Sequence, residues 1–122
     1  MAKIQITREA LLRGKIVTPD WYPCEIVSVD EHLSKAGDSI NWDVDHKILD
    51  GPFKDVVVRR VFNEKAPGFA IDFLKAFGVE IDEEVGGEFD MHAAKGKKCM
   101  VEIKTEMYLN RPKNVINSYR PL

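Results

Sequence analysis

Hydrophobic and polar residues alternate along three segments in the first half of the chain, as is typical of half-buried β-strands. The segments are WYPCEIVSV (21–29), SINWDVDHKIL (39–49) and KDVVVRRVF (54–62). His46 interrupts the apolar face of the second segment. Asp50-Gly51 follows it, and a glycine there tolerates the positive φ of a tight turn. We therefore predict three consecutive strands, with a tight turn between the second and the third.

The period of the apolar residues changes after residue 66, where phenylalanine recurs every fourth position as Phe69, Phe73 and Phe77. This spacing places all three rings on one stripe of an amphipathic helix. Pro67 suits the first turn of such a helix, and Gly78 suits its C-terminal cap. The pattern predicts a helix over residues 67–77 with the phenylalanine stripe buried.

The rest of the chain predicts loops, two further strands and short helical turns. Residues 80–90 are polar and acidic and indicate a loop, with a helical turn at 89–94. KKCMVEIKTEMYL (97–109) alternates again, and NVINSY (114–119) reads as a last short strand. A short helical turn, capped by Thr7 and ended by Gly14, is predicted before the first strand.

Three strands, one helix and two strands form the chain order of an OB-fold barrel. We predict an all-β fold with one helix: a five-stranded OB-fold-like barrel with the helix between strands 3 and 4. Five-stranded sandwiches and α+β rolls share this order. At 122 residues the chain is of single-domain size, and we assign 1–122 to one domain with 1–20 as a short N-terminal extension.

Composition narrows the class of protein. The chain is 44% hydrophobic, enough for a core, but it has no apolar run of about 18 residues that could span a membrane. Its first residues have no apolar signal-peptide region. Cys24 and Cys99 both fall in predicted strands, as expected for buried thiols in a reducing compartment. We expect a cytoplasmic protein without a membrane partner.

Charge is distributed unevenly although the formal net charge is only −2. Residues 80–90 carry six acidic groups and no basic one, whereas residues 91–122 carry seven basic and two acidic residues. A near-neutral chain therefore contains a basic C-terminal third, which bears on its partners more than the overall pI does. The acidic stretch is either a solvated loop, a mimic of nucleic acid, or a docking site.

Candidate binding residues follow from the predicted fold, because OB-folds bind oligonucleotides with the strand 2–3 surface and the loops after strands 1 and 4. LSKAGD (33–38) and YLNRPKN (108–114) would be those loops, both longer than a minimal turn and both cationic. The candidate nucleic-acid-binding residues are Lys35, Trp42, Lys47, Arg59, Arg60, Tyr108, Arg111 and Lys113.

Some of these candidates have alternative interpretations. Trp42 shares a face with Ile40 and Val44, which fits the core as well as base stacking. Arg59 and Arg60 are adjacent in a strand and must point to opposite faces. Asp43 and Asp45 share the polar face of the second strand and would repel phosphate unless they hold a cation.

Catalytic motifs are weak in this sequence. Glu102-Ile103-Lys104 resembles half of a nuclease signature, but its other half, Asp20, is too distant in sequence. His32, His46 and His92 have no neighbouring ligand at metal-site spacing. We expect neither an enzyme nor a cofactor or metal site.

A family resemblance is carried by the segments W-Y-P-x-E-I-V (21–27), S-K-A-G-D (34–38), D-G-P-F-K (50–54), L-K-A-F-G (74–78) and G-K-K-C-x-V-E-I (96–103). Over residues 14–120 the chain resembles phage-encoded proteins with an uncharacterised conserved domain, which are similar to OB-fold single-stranded DNA-binding proteins. Such proteins tend to be encoded among replication and recombination genes.

The resemblance implies a sequence-independent single-stranded DNA-binding protein of phage DNA replication or recombination, acting in the host cytoplasm. Replication or recombination proteins would be its protein partners, and homo-oligomerisation is left open. The alternative is a protein-interaction or virion-structural domain that uses the same barrel without binding nucleic acid.

Overall fold

A computed structural model describes residues 2–82 and 84–122 of the chain. Its elements in chain order are α1 (Arg8–Leu12), β1 (Asp20–Leu33), β2 (Ile40–Ile48), β3 (Val57–Asn63), α2 (Ile71–Ala76), β4 (Lys98–Tyr108) and β5 (Arg111–Arg120). Single 3₁₀ turns occupy Pro67–Ala70 and Met91–Ala94. The fold is mostly β, as predicted, and no described helix has the length and apolar character needed to cross a membrane.

The five strands form one sheet in the order β3-β2-β1-β4-β5, and all neighbouring pairs are antiparallel. β1 pairs with two strands: its residues 20–25 pair with β4, and its residues 24–33 pair with β2. The register between β1 and β2 shifts between Ile26 and Ser28. A bulge of this kind bends a strand and increases its twist, so β1 can belong to both halves of the curved sheet.

The two edge strands, β3 and β5, approach each other, but no ladder joins them among the described residues. The Arg60 guanidinium of β3 lies 5.5 Å from the centre of the Tyr119 ring of β5. The Phe73 ring of α2 packs against both edge strands, with its centre 5.0 Å from that of the Phe62 ring of β3 and 5.1 Å from that of the Tyr119 ring of β5. The sheet thus curls around the core with an open seam, and the predicted closed barrel is not confirmed.

A buried hydrogen bond crosses this seam. His46 of β2 is fully buried, and its Nε2 lies 2.9 Å from the hydroxyl of Tyr119 on β5. Its Nδ1 lies 3.1 Å from the carbonyl oxygens of Val44 and Val58. Because carbonyls only accept, Nδ1 carries the proton and Nε2 accepts from the tyrosine. The histidine that interrupts the apolar pattern is therefore a satisfied core residue.

The helix between strands 3 and 4 is confirmed, but only part of its predicted stripe is buried. Phe73 is 0% exposed, whereas Phe69 is 68% exposed, so the prediction for Phe69 was wrong. The first turn is 3₁₀ rather than α, and three residues per turn rotate Phe69 away from the stripe. Gly78 has φ +78° where the chain leaves the helix, as its predicted capping role requires.

The connection between β2 and β3 differs in detail from its prediction. Gly51 has a positive φ of 79°, yet β2 and β3 are joined by residues 49–56 rather than by a two-residue turn.

At the N-terminus the Thr7 side chain accepts from the Ala10 amide and caps α1 as predicted. Cys24 and Cys99 are buried and lie opposite each other in the β1–β4 ladder.

Candidate nucleic-acid interface

The β4–β5 hairpin extends beyond the rest of the sheet. β4 pairs with β1 only as far as Ile103, so residues 104–115 pair only with each other and form a hairpin arm. Leu109 and Asn110 form its turn, with φ of 50° and 62°. Positive φ at both central residues is the signature of a type I′ hairpin. The prediction of a longer loop over 108–114 was therefore wrong, because most of that segment belongs to paired strands.

Cross-strand partners in an antiparallel pair point to the same face. One face of the hairpin arm is formed by three such rows, and we call it the outer arm face. Its rows are Tyr108 with Arg111, Glu106 with Lys113, and Lys104 with Val115. The Lys113 ammonium lies 5.5 Å from the centre of the Tyr108 ring, and Tyr108 is 64% exposed. The structure thus brings together three of the predicted residues and adds Lys104, which sequence reasoning did not select.

The cations of the outer arm face have no acidic partner within the part of the chain that the structure describes. No described carboxylate oxygen lies within 4.0 Å of the basic nitrogens of Lys104, Arg111 or Lys113. Glu106 faces Lys113 across the ladder without forming an ion pair. These three side chains can therefore neutralise an external anion without first breaking an internal salt bridge.

The outer face of β2 and β3 is different, because its cations are neutralised internally. Arg59 Nε lies 2.8 Å from Asp45 Oδ1, and Arg59 Nη1 lies 3.5 Å from Asp43 Oδ2. Lys47 Nζ lies 3.6 Å from Asp55 Oδ1. Burial raises the pKa of Asp45, but hydrogen bonds from Arg59 and Ser28 outweigh it and leave that pKa below its usual value. Lys47 and Arg59, which we predicted to contact phosphate, are thus already paired with carboxylates.

The N-terminal helix also occupies part of this face. Arg8 Nε lies 3.1 Å from Asp55 Oδ2, and another Arg8 nitrogen donates to the Lys54 carbonyl. Between α1 and the strands lies an open groove of about 780 Å³ whose charged lining mixes Arg13 and Arg59 with Glu9 and other groups of both signs. A groove of mixed charge attracts a polyanion less than the arm does.

Trp42 and Arg60 lie near the core rather than in a groove. Trp42 is half-buried, packs against the core and donates its indole N–H to Glu31 Oε1 over 3.0 Å. Arg60 is half-buried with its guanidinium 4.9 Å from the centre of the Phe62 ring. The core interpretation of Trp42 agrees with this position, and Arg60 is the arginine that points to the inner side.

Lys35 is exposed but remote from the arm along β1. Asp20, at one end of β1, lies beside Ile103 at the base of the arm, whereas Leu33, at the other end, pairs with Ile40 next to the Lys35 loop. Thirteen residue steps of strand separate these ends, roughly 43 Å of contour at 3.3 Å per residue. The two predicted loops therefore lie at opposite ends of β1.

Two residues that sequence reasoning missed lie on the same outer side as the arm. Trp21 pairs with Glu102, and Arg120 pairs with Met100. The Arg120 guanidinium lies 4.4 Å from the centre of the half-buried Trp21 ring. The sequence held a signal for each residue, because Trp21 falls on the face of its strand opposite to Cys24 and Arg120 belongs to the basic C-terminal third. Only the strand pairing shows that the two residues meet.

Within residues 2–82 and 84–122, no group of three or more histidine, cysteine or acidic side chains has an arrangement that could hold a metal ion. The chain matches no protein-family model, and no curated protein matches it.

Proposed function

We propose that this protein binds single-stranded DNA without regard to sequence. The observation that carries the proposal is the outer arm face, where an exposed tyrosine lies among three cations that no described carboxylate neutralises. Cations that follow a phosphate backbone and aromatic rings that stack on bases are the two components of sequence-independent single-strand binding. A two-stranded arm presents both components on one surface.

The strand order supports an OB-fold-like architecture as part of this proposal. An OB-fold barrel has five strands, of which the first pairs with both the second and the fourth, and oligonucleotides bind to its surface and its hairpin loops. The order β3-β2-β1-β4-β5 with a helix after β3 corresponds to such a barrel opened between β3 and β5. In this proposal the β4–β5 hairpin is the main binding loop.

The proposed context is phage DNA replication or recombination in the host cytoplasm, which rests on the family resemblance alone. In that setting the protein coats exposed single strands, and replication or recombination enzymes are its protein partners. The function needs no catalytic group, cofactor or metal ion, because charge neutralisation and stacking supply the affinity.

The test is a fluorescence-anisotropy titration of labelled oligo-dT at several salt concentrations. Each phosphate neutralised on a single strand contributes about 0.7 to the slope of log affinity against log salt. Replacing Lys104, Arg111 and Lys113 together with alanine should flatten that slope by roughly 2. The matched control is Lys75→Ala, which removes an exposed cation of α2 and should leave the slope unchanged. A parent protein with no affinity at about 50 mM salt would refute DNA binding.

A protein-interaction or virion-structural role is the second candidate, and the tip of the arm favours it. Met107 and Leu109 are 68% and 80% exposed, and exposed apolar groups at a projecting tip are typical of a protein contact. If oligo-dT does not bind, Leu109→Ser should reduce self-association measured by analytical ultracentrifugation. An unchanged sedimentation profile would count against self-association through the arm.

A further inference from the structure

A second aromatic platform lies on the same side of the sheet as the arm. The rows of the β1–β4–β5 ladders put Trp21, Glu102 and Ser118 side by side, and put Pro23, Met100 and Arg120 in the row two residues away. The Arg120 guanidinium lies over the Trp21 ring, 4.4 Å from its centre. Bases stack on tryptophan rings and on guanidinium planes alike, so this pair can receive a base.

This platform is aligned with the arm. Alternate residues of a strand point to the same face, so Glu102, Lys104, Glu106 and Tyr108 form one row along β4. Six residues separate the Trp21 row from the Tyr108 row, which corresponds to roughly 20 Å at 3.3 Å per residue. Lys104 lies between the two aromatic side chains. The sheet therefore presents an aromatic group, a cation and a second aromatic group in sequence along one face.

The charge of this strip favours a polyanion. It carries four cations, Lys104, Arg111, Lys113 and Arg120, against the two carboxylates of Glu102 and Glu106. Glu102 accepts a hydrogen bond from Asn117, which partly satisfies its charge. Among the described residues none of the four cations forms an ion pair. The β2–β3 face, by contrast, pairs Arg59 with two aspartates.

We infer that single-stranded DNA follows the outer face of β4 and β5, from Tyr108 at the arm to the Trp21–Arg120 pair, and not the β2–β3 face. This inference rests on the proposed function and specifies its binding path. Tyr108 and the Trp21–Arg120 pair each stack a base, and the cations between and beside them neutralise the phosphates.

Intrinsic tryptophan fluorescence tests this path, because the chain has only two tryptophans, Trp21 and Trp42. The Trp42→Phe variant keeps only Trp21, and unlabelled oligo-dT should quench its emission. The matched variant Trp21→Phe keeps only Trp42, which packs against the core, and its emission should not change. Quenching of Trp42 alone would overturn the inference.

Affinity measurements provide a second test that does not depend on emission. Trp21→Ala should weaken oligo-dT binding about 5- to 150-fold, the range observed for loss of one stacked base. Arg120→Ala should weaken it too and flatten the salt slope by about 0.7. Circular dichroism checks folding, and Arg120→Ala tests the path even if Trp21→Ala is unstable. Lys75→Ala is again the control, since α2 packs on the inner side of β5.

The outcomes separate the two levels of the proposal. A parent protein that does not bind oligo-dT overturns the proposed function and this path together. A parent that binds, with a salt slope that depends on the arm cations but with no response of Trp21 fluorescence or of Arg120→Ala, overturns the path alone.

Discussion

Acidification should destabilise this fold through His46, well above the pH at which carboxylates are protonated. Burial lowers the pKa of His46 from 6.5 to about 4, because water cannot solvate the charged imidazolium there. Hydrogen bonds to the Val58 and Val44 carbonyls act in the opposite direction and raise this pKa. The nearby Arg60 lowers this pKa further, and Asp45 raises it. In the unfolded chain the imidazole regains its ordinary pKa of about 6.5.

The direction of the effect follows from proton binding. Below pH 6.5 His46 is protonated in the unfolded state, whereas in the folded state it stays neutral until the pH approaches about 4. Stability therefore falls as the pH decreases through this window, by at most about 1.4 kcal/mol per pH unit. Integrated between pH 7 and pH 5, the loss is about 2 kcal/mol, a large part of the stability of a small domain.

The assay is urea denaturation followed by circular dichroism at pH 7, 6 and 5. The comparison is between the parent and His46→Gln, which cannot take up a proton at this position. Asp38, Asp45 and Asp55, whose pKa values are lowered in the fold, and His32, whose pKa is raised, are present in both proteins. The contributions of Asp38, Asp55 and His32 cancel in the difference, and that of Asp45 cancels except for its interaction with His46. The free energy of unfolding of the parent minus that of His46→Gln should therefore fall by about 2 kcal/mol from pH 7 to pH 5.

A difference that stays constant with pH would refute the reasoning, since it would mean that His46 titrates alike in both states. If His46→Gln does not fold, an NMR titration of the parent imidazoles answers the same question. One imidazole should then resist protonation down to about pH 4. Ordinary titration of every imidazole near pH 6.5 would contradict the buried hydrogen bond to Tyr119.

Other positions give sharper local tests. Phe73→Ala should destabilise the protein by roughly 3–5 kcal/mol, because a fully buried ring leaves a cavity; a loss below about 1 kcal/mol in urea denaturation would mean that the ring is not buried. Tyr108→Ala should weaken oligo-dT binding by about 1–3 kcal/mol without changing the salt slope; a changed slope would argue against stacking. Burial raises the pKa of the thiols of Cys24 and Cys99 to about 12, so a thiol reagent should label them only in denaturant, and rapid labelling of the native protein would show that they are accessible.

Local periodicity was enough to place the strand segments and the helix along the chain. The switch from alternating residues to a four-residue spacing after residue 66 places α2 between β3 and β4 where it is found. Gly78 and Thr7 perform their predicted capping roles, since capping depends on only a few neighbouring residues. Phe69 shows the limit of this reasoning, because periodicity alone does not distinguish a 3₁₀ turn from an α-helical one.

Which of the candidate residues can act together depends instead on the pairing of strands that are distant in sequence. Sequence gives the charge of Arg59 and of Arg111 but not their neighbours, and strand pairing gives Arg59 two aspartates while it leaves Arg111 beside a tyrosine. The same pairing joins Trp21 to Arg120, although 99 positions separate them in the chain. Such contacts depend on register, and a shift of one residue would turn every side chain of a strand to the opposite face.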